Sequence, residues 1–302
     1  MAHLSGRTFL RMVLSALALS GLPARGVAAD RTLTIDTKDG ARSAIVAAFE
    51  GVARPTIVVL HGAYMGAAVA ARATRFRETA AARGYNAVFP DGIGRVWIDG
   101  RNFRTGADDV AFLRALAVRL VADGVADPRR LYLAGISNGG FMTFRMMCEA
   151  PEAFVAFGTV IAGIGAETAQ ACRPKRGLPL VMIAGADDPI VPYNGGGVGF
   201  RGRNGEVWGA ERTAELFART NGCKASDTTT RPDGDSTMTS IARIDWSCPA
   251  KSPVMLYRVD GGGHQSYGGN ALPQLAFGRT TKQFSAPEAI LDFFDALPKV
   301  AP

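Results

Sequence analysis

The sequence predicts an α/β protein, a mostly parallel β-sheet with helices on both faces. Two observations carry this. Six apolar runs suited to buried strands recur along the chain, and segments of helical period separate several of them. The size fits as well: 302 residues, 47% hydrophobic and 20% charged, allow one large core or two small ones and exclude bulk disorder.

Taken in chain order, the first element stands apart. Arg7 and Arg11 precede an apolar segment, Met12–Leu22, and Val27-Ala28-Ala29 places small residues before Asp30. That order is a secretory signal peptide over 1–29, cut after Ala29. The apolar segment is too short to span a bilayer, so no stable membrane insertion is expected. No cysteine lies in it, which argues against a lipid-anchored start. Residues 30–302 are then expected to form a single domain. Of the 34 basic residues, Arg7, Arg11 and Arg25 leave with the leader, so the net charge falls from +7 to +4. The remaining arginines are scattered without interleaved aromatics, which excludes nucleic acid as a partner.

The expected strands are Thr56–Leu60, Asn86–Phe89, Arg130–Ala134, Phe157–Ala162, Pro179–Ala184 and Val254–Val259. Each is a short, nearly continuous apolar run, the pattern of a strand covered on both faces. The expected helices are Ala67–Arg83, Asp108–Asp123, Gly139–Glu149, Val207–Thr220 and Ala286–Leu297. Asp108 and Asp109 stand where the second helix starts, as N-cap residues do. Polar Ala225–Thr237 reads as a surface loop. There is no internal repeat.

Four cysteines, Cys148, Cys172, Cys223 and Cys248, include no C-x-x-C, and the mature chain keeps only two histidines. Metal sites need tighter clusters, so no metal or other cofactor is expected. In an exported chain an even count favours disulfides. The pairing expected is the sequence-local one, Cys148–Cys172 and Cys223–Cys248, each contributing about 3 kcal/mol.

Gly135-Ile136-Ser137-Asn138-Gly139 fits G-x-S-x-G at the end of an expected strand and the start of an expected helix. So tight a strand-to-helix turn leaves no room for side chains two residues either side of the serine. It also aims the helix N-terminus at the hydroxyl. A serine needs a base to act as nucleophile. His61 ends a buried strand in Val-Val-Leu-His-Gly and reads as structural. His264 follows the last strand in Asp-Gly-Gly-Gly-His, a loop able to bring an imidazole over Ser137, and is the base candidate. An acid must orient it, and Asp187 or Asp188, after the strand ending at Ala184, can do so. The order Ser, Asp, His is that of α/β-hydrolases. The oxyanion hole should combine the backbone N–H groups of Asn138 and Ala63. Gly197–Gly202 fits G-x-G-x-x-G, but no strand precedes it closely and no acid follows, so it reads as a loop beside the site.

With these residues in place, the chain resembles the polyhydroxybutyrate depolymerase-type esterases, a family that includes feruloyl esterases. The matching pieces are Leu60-His61-Gly62, Phe89-Pro90-Asp91-Gly92, Trp97 with Asp99-Gly100-Arg101, and Asp108-Asp109-Val110. They continue through Gly135–Gly140, Asp188–Tyr193, Asn221-Gly222-Cys223 and Gly261–His264. The resemblance implies an exported α/β-hydrolase that cleaves carboxylic esters through an acyl-enzyme, and it selects Asp188 as the acid. Family depolymerases of solid polyester commonly carry an added binding module, and none is expected here. The expected substrates are therefore hydroxyalkanoate oligomers or related short esters, with feruloyl or acetyl-xylan esters as the alternative. Trp97, Tyr193 and Tyr267 stand in loops at strand ends, where they could contact substrate. Two competing functions are an exopeptidase of the same fold and a non-catalytic secreted binding protein with a relic site. Oligomeric state is left open.

Overall fold

A computed structural model describes residues 1, 30–101, 103, 106–224, 226–231, 238–249 and 251–298. The expected leader therefore lies outside the described residues, apart from Met1.

The chain begins with a hairpin, β1 (Arg31–Thr37) and β2 (Gly40–Ala47), followed by β3 (Arg54–Leu60). Two short helices, α1 (Ala67–Ala73) and α2 (Phe76–Ala82), lead to β4 (Asn86–Pro90). Then come α3 (Asp109–Ala122), β5 (Ala126–Ile136), α4 (Asn138–Glu149), β6 (Ala156–Val160), α5 (Ala166–Ala171) and β7 (Leu180–Gly185). A small ribbon of β8 (Gly195–Gly197) and β9 (Glu206–Trp208) precedes α6 (Ala210–Thr220). The chain continues with β10 (Ser226–Arg231), β11 (Ser240–Trp246), β12 (Val254–Asp260), α7 (Gln274–Phe277) and α8 (Ala286–Asp295).

Ten strands pair in the order β1-β2-β4-β3-β5-β6-β7-β12-β11-β10. The central six, β4 through β12, run parallel. They are the six expected apolar runs, shifted by a residue or two at their ends except for β5, which starts four residues before the expected Arg130. Antiparallel pairs flank them on both sides. The flanks were not expected: β1, β10 and β11 hold no continuous apolar run, and the run Ala44–Ala47 of β2 was not among the expected strands. β1 buries only alternate residues, Leu33 and Ile35. β10 is Ser-Asp-Thr-Thr-Thr-Arg and exists through its ladder with β11. The loop expected over Ala225–Thr237 is thus corrected over 226–231, and residues 225 and 232–237 lie outside the described residues.

The helices need two corrections. The expected Ala67–Arg83 helix is broken at Arg75, whose φ of 63° is left-handed. The expected Val207–Thr220 helix starts only at Ala210, because Glu206–Trp208 pairs with Gly195–Gly197. Asp108 does cap α3, accepting the Ala111 N–H at 3.0 Å. Asp109, by contrast, is fully buried and pairs with Arg42 at 2.7 Å.

Each sheet face has its own core. Phe112, Leu116, Phe141, Phe144 and Phe217 cover one face from α3, α4 and α6. Phe76, Ala80, Ile290 and Phe294 cover the other from α2 and α8. Cys148, near the end of α4, is bonded to Cys172 after α5, and Cys223 after α6 to Cys248 after β11. Both are the short-loop pairings, and two disulfides fit a protein of an oxidising compartment. Among the described residues no helix is long and apolar enough to cross a membrane.

Candidate active site

The carboxyl ends of β3, β5, β7 and β12 converge on Ser137. This serine has φ 52° and ψ −118°, a conformation that L-residues adopt only when their surroundings impose it. The cause is crowding on both sides. A Cβ on Gly135 would lie 2.1 Å from the Gly139 carbonyl oxygen, and one on Gly139 would lie 2.3 Å from that of Leu60. The turn from β5 into α4 closes only with glycine at both positions, and it lifts the Ser137 hydroxyl to the sheet's edge.

His264 comes to that hydroxyl from the loop after β12. Its Nε2 lies 3.0 Å from Ser137 Oγ and its Nδ1 lies 2.8 Å from Asp188 Oδ2. Asp188 accepts the Ile190 and Val191 N–H groups on its other oxygen, both at 2.8 Å. With an ionised carboxylate on Nδ1, that nitrogen carries the proton and Nε2 is free to accept one from the hydroxyl. Asp187 is exposed, whereas Asp188 is buried. The backbone of the histidine loop is held too: the His264 N–H donates to the Phe277 carbonyl and the Tyr267 hydroxyl to the Gly263 carbonyl.

His61 is also buried, but the main chain takes both its ring nitrogens. Nδ1 donates to the Gly62 carbonyl at 2.8 Å, and Nε2 accepts the Gly92 N–H at 3.0 Å. Burial lowers its pKa, so the ring is a neutral brace for the loop that carries Ala63. Asn138, as the first residue of α4, has no intrahelical acceptor for its N–H. Among the described residues the Ala63 N–H meets no acceptor either. Both residues border the cavity beside Ser137.

That cavity holds about 500 Å³ and is mostly apolar. Phe103, Phe141, Phe200 and Phe277 line it with Ile161 and Ile190, and the Gly197–Gly202 motif contributes Val198, Gly199 and Phe200. The motif is therefore wall, not a phosphate cradle.

The three aromatic candidates are not among the cavity's lining. Trp97 is fully buried, and its indole N–H donates to the His61 carbonyl at 3.0 Å. Tyr267 is spent on the Gly263 carbonyl. Tyr193 faces a separate groove with Trp208 and hydrogen-bonds Glu211 at 2.9 Å. In each of the three, the polar tip is paired with protein. Asp99, quoted among the matching pieces, was given no role in the site. It is buried, accepts the Asn138 side-chain amide at 2.6 Å and pairs with Arg101 at 2.6 Å. Its signal was the pair of opposite charges either side of Gly100, just after Trp97.

The prolyl oligopeptidase family matches residues 62–165, the segment from the His61 loop through β6. NocK of Nocardia uniformis subsp. tsuyamanensis, which carries an esterase name, is 29% identical over 255 residues, covering 80% of this chain and 74% of its own. Feruloyl esterase B of Piromyces equi is 29% identical over 175 residues, 57% of this chain and 31% of that protein. Feruloyl esterase C of Emericella nidulans is 26% identical over 175 residues, 58% of this chain. The match thus spans about a third of the first feruloyl esterase and, at 55%, about half of the second. Among solved structures, the acetyl xylan esterase of Aspergillus awamori superposes with a TM-score of 0.60 at 12% identity, covering 89% of this chain and all of that one. At that identity the likeness speaks for the fold alone. The parallel sheet and the Ser-Asp-His order are those of the α/β-hydrolase fold, and the chain is similar to esterases and feruloyl esterases.

Proposed function

We propose that the protein is an exported serine esterase in which residues 30–302 form one catalytic domain. Ser137 attacks the ester carbonyl while His264 takes its proton through Nε2. Asp188 holds the imidazole in the required tautomer and stabilises the imidazolium. The Asn138 and Ala63 N–H groups bind the oxyanion, and losing such a donor typically costs about 3–4 kcal/mol of transition-state stabilisation. His264 then protonates the leaving alcohol, and the same imidazole activates the water that hydrolyses the acyl-enzyme. The unbroken Asp188–His264–Ser137 hydrogen-bond chain, opening on an apolar cavity, carries this reading. The leader pattern over 1–29 and the two disulfides support export.

For the substrate we favour hydroxyalkanoate oligomers or related short esters, as the depolymerase-type motifs imply. A feruloyl ester is the second reading, supported by the relatives' names and by four phenylalanine rings around the cavity. A cavity of this width is larger than an acetyl group needs.

The test is turnover of hydroxybutyrate oligomers, feruloylated sugars and acetylated sugars by the purified protein, with p-nitrophenyl esters set against matched anilides. Fluorophosphonate labelling is run in parallel on wild type and Ser137→Ala. Ester turnover, with labelling abolished in the folded variant, is the expected result. Anilide cleavage exceeding ester cleavage would move the assignment to a peptidase. Folded wild type that neither labels nor turns over would leave the binding-protein reading.

A further inference from the structure

The cavity wall contains a buried cation that ester hydrolysis does not use. Arg101 has a side chain only 5% exposed, yet it lines the cavity above Ser137. Its Nη2 donates to Asp99 Oδ2 at 2.6 Å, and its Nη1 donates to the Asn204 carbonyl at 3.0 Å. The guanidinium lies 3.6 Å over the Phe141 ring, one turn into α4. Its stem packs on Gly205, whose φ is 80° and where an added Cβ would stand 3.1 Å from Arg101 Cβ. A guanidinium can serve a carboxylate, a carbonyl and a ring face together, which a lysine ammonium cannot.

Its partners belong to opposite sides of the cavity. The Asp99 oxygen that accepts Arg101 also accepts Asn138 Nδ2 at 2.6 Å. Asn138 is further held by the Trp97 main chain, accepting its N–H at 2.7 Å and donating to its carbonyl at 3.0 Å. Asn204 closes the loop that sends Val198, Gly199 and Phe200 into the cavity. Within the loop, Asn204 N–H donates to Val198, Val198 N–H to Gly205 and Gly202 N–H to Gly199; outward, Gly199 N–H donates to Ile190 and Phe200 meets the Phe277 ring edge-on. The Arg101–Asn204 bond joins the loop to the side that carries the nucleophile. Because Asp99 neutralises the guanidinium, the wall it sets stays suited to an apolar group.

We propose that Arg101 is a specificity-determining positioning residue that clamps the 198–204 loop as the wall of the acyl cavity, with Asp99 coupling that wall to Asn138. This rests on the reading of Ser137 as nucleophile. Released from Arg101, the loop would no longer hold Phe200 and Val198 against a long acyl chain, while a short acyl group would lose less.

The test measures kcat and KM for p-nitrophenyl acetate, butyrate and hexanoate with wild type, Arg101→Met, Arg101→Lys and Phe200→Ala, alongside thermal melting. The hexanoate-to-acetate ratio of kcat/KM should fall at least tenfold in Arg101→Met, chiefly through KM. It should fall in the same direction in Phe200→Ala, and Arg101→Lys should not restore it. If Arg101→Met fails to fold because Asp99 is left unpaired, the Asp99→Asn/Arg101→Met double variant removes both buried charges and is read instead. A ratio within twofold of wild type in folded Arg101→Met or the double variant, or an equal loss on all three esters, overturns the clamp. Wild type that hydrolyses no ester and takes no fluorophosphonate overturns the nucleophile reading itself, and the clamp with it.

Discussion

His61 and His264 occupy matching places after two different strands of the sheet. Each follows a parallel strand, β3 or β12, and each is buried beside glycine in a loop at the carboxyl edge of the sheet. They differ in what they touch. Both His61 nitrogens are taken by main-chain groups two to three ångströms away in fixed roles, a carbonyl and an N–H. Those of His264 meet a carboxylate and a hydroxyl. Burial therefore says little about which histidine can move a proton. The partner set decides: a ring bonded to backbone can neither pass its proton on nor gain one cheaply, whereas one between an acid and a serine can do both.

The largest effect that can break this contrast is expected at the second histidine. On the proposed mechanism His264→Gln should lower kcat by about 10⁴-fold or more, because it would remove the base and leave the cavity and the oxyanion donors in place. The melting temperature should stay within a few degrees; a folded variant with kcat within tenfold of wild type would end the contrast. Next comes His61→Leu. It leaves the buried Gly62 carbonyl and Gly92 N–H without their side-chain partner, so stability should drop by about 2–4 kcal/mol. Urea unfolding measures this, and kcat of the folded fraction should fall far less than in His264→Gln. A kcat loss equal to that of His264→Gln with unchanged stability would show the two rings to be alike.

The smallest effect is on pH dependence. Burial holds the His61 pKa below its ordinary value of 6.5. Below about pH 6.5 the unfolded chain binds a proton that the folded chain refuses. The His61 contribution is thus fully present above that pH and is lost as pH falls toward the lowered folded value. Urea unfolding at pH 7.5 and 5.5 should show wild type losing more stability on acidification than His61→Leu. An equal loss would mean that His61 is protonated in the fold.

Much of this arrangement was legible in the residues themselves. The six parallel strands were visible because a strand covered on both faces must be apolar throughout. The turn at Ser137 was visible because its glycines are demanded locally, within five residues. The two disulfides followed the shortest pairing. The antiparallel flanks were not legible. Residues such as Thr228 to Thr230 become a strand through a ladder with Arg243 and its neighbours, and nothing in their own hydropathy says so.

Sequence alone determined the parallel centre, the glycine-enforced turn and the order of serine, aspartate and histidine, since each depends on short-range sterics or on apolar period. Only the tertiary structure decided where polar side chains found their partners. It buried Asp188 and left Asp187 exposed, and it paired the polar tips of Trp97, Tyr193 and Tyr267 with protein. It joined Asn138 to Arg101 through Asp99 and Arg101 to Asn204, across 39 and 103 residues of chain. A buried polar group must be paired, but which partner pairs with it depends on how distant segments meet.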